Sequence, residues 1–275
     1  MKSTVAPFET AAWCVRIACT NGLTIRLTTY PFDLTMSNSQ VYETDSGYEQ
    51  SAYSSNTSMA AASIDIEGFV GVAGITRDQI ASGVFDNARV YVFKCDYLNP
   101  VEDYEPITAG LFGKTTISDD RYRVEGMALV DALSQSIGMS VTPGCQHTFG
   151  DSGCGIVLTS VDVTGAITHV TSATVFRDSS RSEAADWFGA GTLEFTSGQN
   201  VGLPKLMVQA YAADGTITVV EPPYYTPQVG DTYVMVPGCR KRGSDCKDKW
   251  SNKINFLGFE DIPSPSQYTF IGGLS

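Results

Sequence analysis

PGCQHTFGDSGCG, residues 143–155, and PGCRKRGSDCK, residues 237–247, hold four of the seven cysteines of this chain. Both runs open on the same Pro-Gly-Cys turn, so each presents its thiols from a loop whose backbone is free to bend. Four thiolates on two loops make a metal or cluster site. For Cys145 and Cys154 to share a site with Cys239 and Cys246, residues 155–238 must leave that site and return to it, as an inserted β-domain does. Closing so long a loop by ligation stabilises the fold by about 4 kcal/mol on the entropy analogy with a disulfide.

Three chemistries compete for these thiols: an iron-sulfur cluster, zinc, and a pair of disulfides. Between Cys239 and Lys253 stand Arg240, Lys241, Arg242, Lys247, Lys249 and Lys253, against only Asp245 and Asp248 in an otherwise acidic chain. Such crowding suits a site that carries net negative charge, as four thiolates around iron and sulfide or around zinc do. Basic neighbours also favour the ligating thiolate. Two plain disulfides need no compensation. Zinc usually takes ligands two to four residues apart, and ferredoxin cysteines are likewise closely spaced, so gaps of this width match neither pattern and leave the cluster and zinc open.

The stretch GCRKRGSDCKDKWSNKINFLGFEDIP, residues 238–263, resembles the C-terminal signature of tail-tip hub proteins of long-tailed phages and gene transfer agents. Gly238, Cys239, Cys246, Asn252, Asn255, Phe256, Gly258, Phe259 and Pro263 carry the likeness. Cys145, Gly150, Asp151, Cys154 and Gly155 resemble the family's upstream element. Trp250 stands where Phe is common, and Glu260-Asp261 where Pro often follows Phe259; neither departure touches a ligand. The resemblance implies a virion protein, assembled in the bacterial host cytoplasm, that closes the distal end of the tail tube. It implies an iron-sulfur cluster, 4Fe-4S in type, on Cys145, Cys154, Cys239 and Cys246. It further implies a homotrimer whose neighbours are the distal tail protein, the tape-measure protein and the central receptor-contact or fibre-bearing protein.

Composition agrees with a large folded body. With 275 residues, 43% of them hydrophobic, the chain can bury a substantial core. Its 13 Tyr, 13 Phe and 26 Gly, with only 17% charged residues, favour short strands joined by turns. The formal charge of −12 argues against a nucleic-acid groove, since phosphate binding needs clustered basic surface and the one such cluster lies on the cysteines. An acidic lining of a tube that DNA traverses would keep the DNA from adhering. The first residues, MKSTVAPFETAAW, lack the apolar run of a signal peptide, and no stretch of about 18 apolar residues occurs. The expectation is therefore a chain made in a reducing compartment, which disfavours structural disulfides.

Periodicity then places the elements. Trp13, Val15, Ile17 and Cys19 alternate with Cys14, Arg16, Ala18 and Thr20 as in a half-buried strand, and Asn21-Gly22 turns it into a second strand through Leu23, Ile25 and Leu27. Residues 37–58 have no apolar period and read as a long loop or arm. A strand holds Ile64 and Ile66, and Thr76-Arg77-Asp78-Gln79 is a capping box that starts a short helix ending at Gly83. A strand follows over 88–94, a hairpin over 107–125 turning at Asp119-Asp120, and an amphipathic helix over 128–137. Between the brackets strands are expected at 160–175, 192–195, 206–211, 217–220 and 232–236, with a helical turn at 183–188. A short helix at 247–252 precedes Ile254, Phe256, Leu257 and Phe259, which are expected to cover the cluster; 263–275 reads as an extended arm anchored by Tyr268, Phe270 and Ile271.

The fold class is thus mostly β, a β-rich α+β chain with hub-type barrel or sandwich domains and short helices. Its expected divisions are 1–158, an N-terminal domain with the first bracket; 159–236, the inserted β-domain; and 237–275, the cluster-binding segment and tail. Cys14, Cys19 and Cys95 read as small core hydrophobes. His147 would complete a three-cysteine, one-histidine site if one thiol did not ligate, and His169 reads as a polar strand residue. No phosphate loop, nucleophile elbow or His-Glu-x-x-His motif is present, and the acids Asp119-Asp120 and Asp65 with Glu67 suit turns and solvent faces better than glycoside hydrolysis. The reading is a structural protein, not an enzyme; the alternatives are a zinc-stapled β binding module and a cell-wall-degrading tail enzyme.

Overall fold

The alternation of residues 11–28 folds into an antiparallel hairpin of β1 (Ala11–Ala18) and β2 (Thr24–Thr28), with Val15 opposite Leu27 and Ile17 opposite Ile25. Cys19 N–H bonds to Leu23 O across a three-residue turn, the Asn21 side chain accepts the Leu23 N–H at 3.0 Å, and Gly22 supplies the positive φ of 89° at the last turn position. The computed structural model describes residues 10–44, 49–50, 64–69, 75–119, 121–128, 138 and 141–262. The arm expected over 263–275 and all but Ala128 and Gly138 of the 128–138 region lie outside them. Two compact units divide the chain, Met1–Ser136 and Ile137–Ser275, so both cysteine brackets belong to the second.

In the first unit β1 is buried on both faces, not one. Val15, Ile17 and Cys19 join Ile25, Leu27, Val90, Val92, Tyr122 and Val124 in one core. Ala12 and Cys14 face a second core of Leu34, Met36, Tyr42, Phe93 and Cys95. The cover on that second face comes from a small hairpin of β3 (Leu34–Thr35), just before the region expected to be a loop, and β4 (Val41–Tyr42), inside it. Short strands of two residues show no period, so a fully buried Tyr42 could not be read from alternation. The remaining elements are β5 (Glu49–Gln50), β6 (Ile64–Phe69), helix α1 (Arg77–Ala81), β7 (Arg89–Asp96), β8 (Glu105–Ser118) and β9 (Arg121–Ala128). They complete an antiparallel sheet in the order β2-β1-β7-β8-β9-β6-β5.

Local signals were followed closely here. The capping box is complete: Thr76 Oγ1 accepts the Gln79 N–H at 3.2 Å and Gln79 Oε1 accepts the Thr76 N–H at 3.0 Å. Asp119 turns the β8–β9 hairpin at φ 51°. Cys14, Cys19 and Cys95 are buried, as expected of core thiols. Contact with Cys95 at 3.7 Å and burial push the Cys14 thiol up, and burial pushes Cys19 up to about 11.

The second unit is a barrel. The run expected as one strand over 160–175 is divided by a 3-10 turn at Leu158–Ser160 and by bends into β10 (Val163–Ala166), β11 (His169–Val170) and β12 (Val175–Arg177). Ser172 causes one bend, its Oγ accepting the N–H groups of Thr174 and Val175. With β13 (Thr192–Phe195), β14 (Leu206–Tyr211), β15 (Thr216–Val219) and β16 (Thr232–Val236), the sheet order is β10-β16-β13-β14-β15-β12-β11. The two ends of that order are halves of one bent run: Ile167 N–H bonds to Asp231 O on one side and Thr168 N–H to Arg177 O on the other. The sheet therefore closes on itself around Phe176, Phe188, Leu193, Val208, Ile217, Tyr233 and Met235.

The helical turn expected at 183–188 is absent. Asp186 and Ala190 take positive φ values of 64° and 60°, and their N–H groups go to Tyr211 O and Val208 O on β14 instead of to a helix. Asp178, 1% exposed, is the polar tie of the barrel: it accepts from Ser180 N and Oγ, Tyr233 Oη and Ala166 N at 2.6 to 3.2 Å. Burial raises its pKa, but these donors outweigh burial and hold the carboxyl below its ordinary 3.8.

Two outcomes are expected. Thr76→Ala removes one half of the capping box and should cost about 1 kcal/mol in urea unfolding, without altering the sheet signal in circular dichroism. Because the folded pKa of Asp178 is depressed, its contribution is whole above 3.8 and fades as the pH falls through the folded value. Asp178→Asn should lower the melting temperature at neutral pH yet show a shallower loss than the parent below about pH 4, read by calorimetry across that range.

Candidate metal centre

The first bracket is a tight Gly-rich loop organised by one carboxylate. Asp151 Oδ2 accepts the Thr148 N–H at 2.8 Å and Oδ1 accepts the Cys154 N–H at 2.6 Å, which fixes the second cysteine relative to the first. The Cys154 amide, then Thr148 and His147, hold the Asp151 carboxyl below its ordinary range. The His147 ring lies on the turn so closely that a Cβ at Gly153 would stand 2.1 Å from Cε1, which only glycine avoids.

The second bracket ends in a widened helical turn, Asp245–Lys249, where Trp250 N–H reaches back five residues to Asp245 O. The regular helix expected over 247–252 is replaced by this turn and a 3-10 turn at Lys253–Asn255. Its entry is set at Gly238, whose Cβ would lie 2.0 Å from the carbonyl carbon of Ala190. That close approach seats the bracket on the turn of the barrel that carries Asp186 and Trp187. Arg240 pairs with both Asp186 carboxylate oxygens. Lys249 Nζ donates to Trp187 O and, at 2.8 Å, to Gly238 O, and stands 5.1 Å from the ring centroids of both Trp187 and Trp250. Burial pulls the Lys249 pKa down.

The brackets meet through their backbones and one amide. Cys145 N–H donates to Lys241 O at 2.8 Å, Lys241 Nζ returns a bond to His147 O, and Gln146 N–H donates to Leu257 O at 2.9 Å. Asn252 Nδ2 donates to Cys154 O at 2.6 Å and lies 3.9 Å from Cys154 Sγ, while Asn252 O accepts the Cys246 thiol at 3.1 Å. Leu257 N–H points at Cys145 Sγ at 3.5 Å. As a result Cys145, Cys154, Cys239 and Cys246 line one cavity, walled by Phe149, Ile156, Trp250 and Phe256 and by His147 and Lys241. Burial first, then the other three thiols, push the Cys246 pKa up.

The donor set suits a sulfur-ligated metal ion or cluster. Four sulfurs, an apolar wall and N–H groups aimed at two of the thiols are what iron-sulfur sites use. Among the described residues no three His, Cys, Asp or Glu side chains are gathered tightly enough to close on a single ion.

Other expectations are revised. Of the six basic residues, Arg240 and Lys253 are spent on Asp186 and Glu260, and Lys249 on carbonyls and indoles; only Lys241 and Arg242 reach the cavity wall. Phe256 covers the cavity as expected, but Ile254 is 93% exposed and Phe259 47%. His169 lies exposed on β11, and Asp119 occupies a turn. Asp65 and Glu67 lie on β6. The roles of Asn252 and of the Lys249 clasp were not read from the residues; an amide and a Trp beside a cysteine loop were the only local signs.

Residues 5–157 match a family model described as baseplate hub protein, N-terminal attachment domain. Residues 186–265 match a second, phage conserved hypothetical protein BR0599. The first model thus holds Cys145 and Cys154, the second Cys239 and Cys246. Among solved structures, a chain from the virion of a native gene transfer agent particle is 26% identical, over 96% of this chain and 91% of that one, with a TM-score of 0.85. No curated protein sequence matches. A first bracket inside a hub domain, a second inside a phage-specific segment, and a fold shared with a particle component place the chain in one family: it belongs to the baseplate hub proteins of phages.

Proposed function

We propose that this chain is a structural hub subunit at the distal tip of a phage-type tail, where it closes the tail tube and is pinned by an iron-sulfur cluster on Cys145, Cys154, Cys239 and Cys246. The virion role rests on family membership and on the near full-length likeness to a gene transfer agent particle chain. The cofactor rests on one observation, the convergence of four cysteines from two distant loops on one cavity. A bound cluster, 4Fe-4S in type, would supply four metal-thiolate bonds that cross-link the loops. This chain's residues do the rest: Asp151 and Asn252 orient the thiols, Phe256 and Trp250 exclude water, and Lys249 fastens the second bracket to the barrel.

The role is mechanical, not catalytic. Cooperative folding around the cofactor precedes assembly, as a homotrimer, with the distal tail protein, the tape-measure protein and the central receptor-contact or fibre-bearing protein. The charge of −12 suits a body past which DNA moves without adhering. Among the described residues no helix is long and apolar enough to cross a membrane. A zinc-stapled module is the second reading, because the same four thiols would take zinc if the loops closed further.

Protein purified without oxygen should be brown and contain iron with acid-labile sulfide. Cys239→Ser should lose both and become less soluble, whereas Cys19→Ala, at a buried site in the other unit, should keep its iron at some cost in stability. Colourless protein with one zinc per chain would transfer the site to the second reading, and equal iron in both variants would remove the ligand assignment. Asn252→Ala should retain the fold but lose iron faster to a chelator, because Cys154 and Cys246 are no longer tied together. Turnover of peptidoglycan by the purified chain would overturn the structural role.

A further inference from the structure

The first unit carries an aromatic ledge on which Phe32 and Leu98 stand exposed. Phe32 is 71% exposed and Leu98 65%, unusual for side chains of this size. They are not scattered. The Phe32 ring meets Tyr30 edge-on at 6.0 Å, and Tyr30 stacks on Tyr97 at 4.7 Å and 22°, next in sequence to Leu98.

The ledge is rigidly mounted. Tyr30 and Tyr97 pack against the buried cluster of Leu34, Met36, Tyr42 and Phe93. Thr44 Oγ1 bonds to Tyr30 O at 2.5 Å and Thr44 N–H to Asp33 Oδ1 at 3.0 Å; Leu98 N–H is held by Asp96 Oδ1 at 3.0 Å. Fixed aromatic side chains lose little entropy on contact, which is the property of interface anchors.

The charge around the ledge is mainly acidic. Its two loops, residues 29–44 and 95–105, contain Asp33, Glu43, Asp96, Glu102, Asp103 and Glu105 and no Lys or Arg. Arg16 and Arg26 reach in from the sheet to Glu102 and Asp103, and Lys94 lies opposite Glu105 and over the Trp13 ring; three cations against six acids still leave an acidic excess. The same face of a second copy would bring like charges together. A cationic segment would instead find carboxylates at the rim and the exposed Phe32 ring at the centre, where Lys and Arg bind by cation–π contact.

We propose that the Phe32–Tyr30–Tyr97 ledge is a docking surface for a basic segment of a different protein of the particle. The proposal rests on the virion reading above and gives the hub domain a specific attachment face.

The full chain, assembled into particles, tests it with the photoreactive residue benzoyl-phenylalanine in place of Phe32 and, as a control, in place of Val229, which is 66% exposed on the other unit. Irradiation should join position 32 to one other particle protein, at a segment with Lys and Arg in excess, and should not give that product from position 229. The double substitution Phe32→Ser with Leu98→Ser should leave the melting temperature of the free chain nearly unchanged and lower its incorporation into particles roughly tenfold. A cross-link to another copy of this chain or to an acidic segment, no cross-link at all, or undiminished incorporation of the double variant would overturn the docking surface. Absence of the unmodified chain from particles would instead overturn the virion reading itself.

Discussion

Asn252 and the backbone of the second bracket hold Cys154 and Cys145 in place from positions about a hundred residues further along the chain, and the site depends on that clasp. The Asn252 amide reaches Cys154 O across 98 residues of sequence, and Lys241 O receives the Cys145 N–H. These bonds are made between loops, where backbone groups have no ladder to satisfy them, so each bracket completes the hydrogen bonding of the other. A metal-thiolate group between them would add to a meeting already arranged by ordinary hydrogen bonds.

The barrel explains how the chain returns to its starting point. A bent strand closes the sheet, and its last strand, Thr232–Val236, delivers the chain directly to Pro237 and Cys239. The turn at Asp186–Ala190 then receives the second bracket through Arg240, Lys249 and the close passage of Gly238. A break in barrel packing would therefore reach the cysteines through rigid elements, which links the stability of the β body to the integrity of the site.

Charge divides the molecule's surfaces by use. Most basic residues of the second bracket are consumed internally, by a carboxylate, by carbonyl oxygens and by indole faces. They position the loop, and Lys241 and Arg242 line the cavity that holds the thiols. The acidic remainder leaves the first unit with a face suited to cationic partners.

By itself the sequence determined what short-range physics controls. The β1–β2 hairpin, the Thr76–Gln79 capping box, the turns at Asp119 and Asp214-Gly215 and most barrel strands follow from alternation and side-chain-to-backbone bonds within a few residues. The two cysteine brackets were visible for the same reason, as turns bearing thiols. Tertiary structure alone decided which faces are covered and which side chains meet. Cys14 and Tyr42 are buried because a hairpin of two-residue strands, Tyr42 among its residues, folds onto the sheet, Phe256 walls the cavity while Ile254 points to water, and Asp186 and Ala190 give their N–H groups to a neighbouring strand where a helical turn was expected. Each of these outcomes depends on partners far away in the chain, and no local period records a partner that arrives only when the fold is complete.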